Sequence, residues 1–193
     1  MGVVQREDLL YLSVTCGKLK NKKKGIEANA YEGVLVGIRE REGEFEGQKT
    51  MRIEIKMKDP KTGEVALIQA TKEALWALGF FARIRKVDIS RPFVLGVIGS
   101  DKNEKISFCY LKQEGYKNPD PKKDGIIDKD KSFPAYTTVK VSGKDVNDYT
   151  KPFEEIDAIM KHINEKLAVH APANVISETS AMLPPPDDSD LPF

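Results

Sequence analysis

Histidine and cysteine are scarce, with two of each among 193 residues. His162 and His170 stand apart from any nucleophile or carboxylate pair. The separation of Cys16 from Cys109 suits neither a zinc site nor a disulfide framework. A glycine-rich phosphate loop is also missing. Enzymatic chemistry, a metal and a cofactor are therefore not expected. The longest apolar run covers residues 74–82, well short of the roughly 20 residues that a membrane span needs. The first residues, Met1-Gly2-Val3-Val4-Gln5-Arg6, lack the basic-then-apolar order of a secretory signal, and Arg6 occupies the place where a myristoylation motif has Ser or Thr. A soluble protein of a reducing cytoplasm is expected, with no membrane partner. Cations are the last shortage. No Lys or Arg follows residue 170, where Glu178, Asp187, Asp188 and Asp190 do. Setting those four acids aside turns the chain's net charge of +1 into a body of net +5.

What the chain does have is alternation. Leu9, Leu10, Leu12 and Val14 suit a short strand in a basic extension, residues 1–30. That extension also holds five lysines in seven positions: Lys18, Lys20, Lys22, Lys23 and Lys24. From Glu32, Val34, Val36 and Ile38 alternate with other residues, and the strand frays into charge at Glu40 and Glu42. After a turn at residues 43–47, Met51, Ile53, Ile55 and Met57 alternate with Arg52, Glu54, Lys56 and Lys58, giving one apolar and one charged face. Asp59-Pro60-Lys61-Thr62-Gly63 is turn chemistry, and Val65 opens a third strand that runs to Ala70.

The period then changes to that of a helix. Thr71 is the expected N-cap, and the apolar positions from Leu75 to Ile84 predict a helix ending near Lys86, with Trp76 in the core. Gly79 inside it costs about 1 kcal/mol against Ala, which a close contact with a strand would explain. Two more strands follow, from Phe93 and from Ile106 to Leu111. A polar, lysine-rich connection covers residues 112–133. Its run from Asp120 has the length of a calcium loop, but Lys122 and Lys131 stand where carboxylates are required. A sixth strand is expected at residues 136–141, closed by a turn at 142–145. Pro152, Phe153, Ile156, Ile159, Met160, Ile163 and Leu167 then predict a second helix over residues 151–170 with one apolar stripe. Residues 171–193 read as a flexible linker and an acidic tip.

Three antiparallel strands, a helix and two strands, over residues 32–111, is the order of the OB-fold, a five-stranded partly open barrel. The expected class is thus mainly β: an OB-fold domain over residues 31–150 carrying a lysine-rich loop and an added strand, then the C-terminal helix. The tip is Asp187-Asp188-Ser189-Asp190-Leu191-Pro192-Phe193. Barrel order, helix, linker and acidic Leu-Pro-Phe end together resemble the single-stranded-DNA-binding proteins of bacteria and tailed phages. The extra basic residues ahead of the barrel, and the strand and helix behind it, are closer to a phage replication protein than to the bacterial tetramer. A homo-oligomer of some kind remains compatible with the sequence.

The resemblance implies sequence-independent binding and protection of single-stranded DNA in a bacterial cell, phage-infected in the phage case. It also implies recruitment of replication, recombination and repair proteins through Asp187, Asp188, Asp190, Leu191, Pro192 and Phe193. The linker, roughly 15 residues with a reach of about 20 Å, would let the tip fold back and compete with DNA. Single-strand binding needs cations for phosphates and aromatic faces for bases. The candidates are Lys18, Lys20, Lys22, Lys23, Lys24, Arg39, Arg52, Lys56, Lys58, Lys112 and Lys117, with Phe108, Tyr110 and Tyr116 as stacking rings. Glu42, Glu44 and Glu46 around Phe45 repel phosphate, so DNA is expected along the outward face of the second strand and the lysine-rich loops. The competing class is an OB-fold strand-annealing or recombination-mediator/protein-interaction module, distinguished by duplex formation from complementary strands.

Overall fold

The computed structural model describes residues 9–45 and 48–170, with the backbone alone at 44, 45, 48 and 170. Alternation does produce strands. β1 (Leu10–Thr15), β2 (Lys18–Asn21) and β3 (Ile26–Ala28) come first. The long pair β4 (Ala30–Phe45) and β5 (Gln48–Lys58) follows, then β6 (Val65–Thr71). Helix α1 (Leu75–Ile84) leads to β7 (Phe93–Gly99) and β8 (Ser107–Lys112). The chain continues through a short 3-10 turn at Pro121–Lys123 to β9 (Thr137–Val141), β10 (Lys144–Asp148) and α2 (Thr150–His170).

Eight strands form one mixed sheet in the order β3-β2-β1-β6-β5-β4-β7-β8. The β4–β5–β6 meander, α1 and the β7–β8 pair occupy the places expected from the sequence. The sheet as a whole differs from a five-stranded barrel. β1 pairs in parallel with β6, Leu12 opposite Ile68, and so takes the edge of the third meander strand. β8 ladders only with β7 among the named strands, and its other side carries a single bridge from Lys112 to Ile126. The result is a curled half-barrel of eight strands. The curl brings the β1–β2 turn onto the end of β7. The Gly17 amide donates to Ser107 Oγ at 2.9 Å, and a Cβ on Gly17 would lie 2.6 Å from Gly99 Cα. Gly17 also has φ +71°, which favours glycine.

One core fills the inside of the curl. Leu10, Leu12, Ile53, Ile55, Met57, Ile68, Leu95, Val97 and Leu111 project from the sheet against Trp76, Phe80, Phe81 and Ile84 of α1. Trp76 is fully buried and donates to the Gly96 carbonyl at 3.3 Å. Gly79 lets α1 approach β8, since a Cβ there would sit 3.3 Å from Cys109 Cβ. Burial pushes the Cys109 thiol far above its ordinary range, so it stays a neutral core group.

The apolar stripe of α2 buries Ile156, Ile159, Met160 and Ile163 in the same core. β4 loses its β7 partner after Gly33, and α2 packs along it beyond that point. There the Asn164 side chain receives the Ile38 amide at 3.2 Å and donates to the Ile38 carbonyl at 2.7 Å. Buried Lys72 ties the layers. It pairs with Glu40 of β4 and with Asp157 of α2 at 2.7 Å, and it lies 4.7 Å from the centre of the Phe153 ring.

Several local expectations are corrected. Thr71 ends β6 rather than capping α1; Ala74 holds the N-cap position and makes no side-chain cap. The helix stops at Ile84, two residues early, and turns continue to Val87. β4 does not fray at Glu40 but remains paired with β5 through Phe45, because a ladder on one side suffices to hold charged residues extended. The expected sixth strand is one half of a separate two-stranded sheet, β9–β10, and the closing turn is the hairpin turn between them. Among the described residues no helix is long and apolar enough to cross a membrane.

Candidate nucleic-acid interface

Period two sends the polar residues of β4, β5 and β6 to the outside of the curl, and the ladders line them up. Across β3, β2, β1, β6, β5 and β4 one row reads Glu27, Lys20, Ser13, Gln69, Glu54, Arg39. The neighbouring row holds Thr71, Arg52 and Arg41, and Lys18 stands opposite Thr15 at the same end. On the other side lie Tyr11, Leu67 and Lys56, then Val65, Lys58 and Val34. This is the face expected to meet DNA, and it concentrates Arg39, Arg52, Lys56, Lys58, Lys18 and Lys20 on one continuous surface.

Its electrostatics centre on Glu54, which is 1 % exposed. Arg39 Nε donates to Glu54 Oε2 at 2.6 Å, Gln69 Nε2 donates to Oε1 at 2.8 Å, and Arg41 lies at 3.8 Å. A buried carboxylate needs such partners. The arrangement in turn fixes two guanidinium groups at the surface, with side chains 68 % and 47 % exposed. Arg41 also stands directly opposite Arg52, a like-charge pair that by itself destabilises a sheet. Gly43 leaves room for that crowding, because a Cβ there would lie 2.8 Å from Arg52 Nε. Lys20 is partly neutralised. It pairs with Glu27 at 2.7 Å, and the hydrogen bond raises the lysine above and lowers the glutamate below their ordinary values.

Four residues of this face escaped the sequence reading: Tyr11, Ser13, Arg41 and Gln69. Tyr11 is 51 % exposed, with Leu67 buried beside it. The signal for it was present, since Leu10 and Leu12 as core residues place Tyr11 on the opposite face. That Tyr11 stands beside Leu67 and Lys56 could not be read, because it depends on β1 lying against β6.

The remaining candidates are dispersed. Lys22, Lys23 and Lys24 are exposed in the β2–β3 turn. Phe108 is exposed on the outside of β8 opposite Ile98 of β7, and forms a small apolar patch with it. Tyr110 lies over Gly96, where a Cβ would come within 2.1 Å of its ring, so one ring face is covered by backbone. Lys112 ends β8 and Lys117 is exposed in the connection beyond it. Tyr116 is half-buried against the core. Phe45's side chain and the tip, Asp187 to Phe193, lie outside the described residues, as do residues 1–8. No group of three or more His, Cys, Asp or Glu side chains suited to a metal occurs among the described residues.

No protein-family model matches the chain, and neither curated proteins nor solved structures provide a match.

Proposed function

We propose that this protein binds single-stranded DNA without sequence preference along the outer face of β1, β6, β5 and β4. The carrying observation is that face itself. Arg39, Arg41, Arg52, Lys56 and Lys58 share it with an exposed tyrosine, the combination of phosphate-binding cations and a base-stacking ring that single strands require. The order β4–β5–β6, α1, β7–β8 supports reading the centre of the molecule as an OB barrel to which β1, β2 and β3 have been added. The acidic tip, Asp187 to Phe193, supports a second role as a docking peptide for replication, recombination and repair proteins, in the manner of the bacterial and phage proteins that the sequence resembles. The same tip competes with DNA for the basic face. The setting is the cytoplasm of a bacterial cell, in the phage case an infected one.

Binding of labelled oligo-dT and of its duplex form, across a salt series, tests this reading. It is measured with the full chain and with a chain ending at Pro186. Preference for the single strand, weakening as salt rises and strengthening without the tip, is the expected result. Equal or absent binding of both forms would refute the DNA role. Duplex formation from complementary strands would move the assignment to strand annealing.

A further inference from the structure

We propose that β10 is a self-association strand that pairs with β10 of a second copy of this chain. The β9–β10 hairpin stands as a sheet of two strands, and no third ladder covers either edge among the described residues. Two-stranded hairpins are marginal in water by themselves. This one also exposes Val139, Val141 and Val146 at 39 %, 54 % and 46 %. Val139 and Val146 are direct partners, and Val141 faces Lys144 on the same side.

The free edge has a defined chemistry. Ser142 and Gly143 both have positive φ, 52° and 79°, the geometry of a two-residue type I′ turn. In such a hairpin the residues flanking the turn, Val141 and Lys144, exchange hydrogen bonds. The same phase continues to Val146 with Val139 and to Asp148 with Thr137. The backbone N–H and C=O of Asp145 and Asn147 therefore point outward, away from β9.

The sequence of β10, Lys-Asp-Val-Asn-Asp, is complementary to itself when read antiparallel about Val146. In that register Asp145 meets Asn147 of the second copy as a hydrogen-bonded pair. Lys144 meets Asp148 of the second copy in the closer, non-hydrogen-bonded spacing. Val146 meets its own copy on the twofold axis, about 4.5 Å away between Cα atoms. Val139, Val146 and their two counterparts then form one unbroken apolar row across four strands. The opposite edge lacks this property. β9 paired with itself would set Thr137 against Val141 and Thr138 against Lys140. The arrangement is isologous and closes as a dimer. With so little surface, the association is weak and depends on concentration.

The test is sedimentation equilibrium of the full chain without nucleic acid, over a concentration series. The unmodified chain is expected to shift from monomer to dimer. Asp145→Pro removes an outward N–H and places a ring on the β10 edge while sparing the hydrogen bonds to β9, and it should hold the chain as a monomer. Independently, Val146→Cys in a Cys16→Ser background should cross-link into dimers on mild oxidation, while Val141→Cys, away from the axis, should not. A chain that stays monomeric throughout, a dimer indifferent to Asp145→Pro, or the absence of a cross-link through residue 146 would each overturn the proposal.

Discussion

Replacing Glu54 by Gln should tighten binding to single-stranded DNA. Glu54 is a negative charge set inside a cationic face, 2.6 Å from Arg39 and 3.8 Å from Arg41. A phosphate on the far side of the Arg39 guanidinium, one further hydrogen bond of about 3 Å away, would lie about 6 Å from that carboxylate. Coulomb repulsion over about 6 Å is about 0.7 kcal/mol at the dielectric of water and about 2.8 kcal/mol at an effective value of 20. Removing it corresponds to a gain of roughly 3-fold to 100-fold in affinity. The fold should tolerate the change, because the Gln69 amide can turn to offer its oxygen and Arg39 keeps a carbonyl acceptor. Fluorescence anisotropy with oligo-dT measures the affinity, thermal unfolding confirms the fold, and a salt series should return an undiminished slope, since no cation is lost. Unchanged or weaker binding by a folded Glu54→Gln protein would refute the placement of DNA on this face.

Tyr11→Ala should lower affinity for oligo-dT by roughly 5-fold to 100-fold, the range of one lost base stack, while leaving the salt slope as it is. A loss confined to the slope would mean that Tyr11 does not stack. Lys72→Met should destabilise the protein by about 2 kcal/mol in denaturant titration, less than for a fully buried pair because Asp157 is largely exposed. Burial lowers the Lys72 pKa, but the hydrogen bonds to Asp157 and Glu40 outweigh it, so the folded value is raised above the ordinary 10.5. The contribution of Lys72 is therefore complete below about pH 10.5 and is lost as pH rises through the folded value. The deficit of Lys72→Met should be flat from neutral pH to about 10 and shrink only above it. A deficit that vanished on acidification toward neutrality would contradict this.

Much of the β-rich character was legible because burial on one side of a sheet imposes a two-residue period. Ile53, Ile55 and Met57 announce β5 in this way, and the apolar positions from Leu75 to Ile84 announce α1 through the change of period. Strand neighbours were not legible in the same sense. Nothing in Leu10-Tyr11-Leu12 specifies that it runs parallel to Ala66-Leu67-Ile68; only the finished core does so. The same gap explains the site. Arg39, Arg52, Lys56 and Lys58 could be assigned to a face from their own strands, and Gln69 joins them through the expected β5–β6 ladder, whereas Tyr11 and Ser13 reach that face only through the β1–β6 pairing. Leu67 shows the reverse error of a simple rule. It lies on the outer face, between Tyr11 and Lys56 in the ladder and outside the main core cluster, yet is 4 % exposed. β10 hid behind turn residues, because Ser142-Gly143-Lys144-Asp145 reads as a connection until its backbone angles are known.

The amide of Asn164 acts toward Ile38 as one peptide unit of a missing strand. It offers an acceptor and a donor to the two backbone groups of a single residue, at the point where β4 has lost β7. The longest strand among the described residues is thus guarded on that side by a helix instead of by prolines or repelling charges. The cover on that edge of β4 is supplied by α2, an element more than 100 residues further along the chain. With α2 undocked, that stretch of β4 would present an open edge to any extended chain nearby, so a change that loosens the Asn164 contact should expose the protein to mispairing along β4 first.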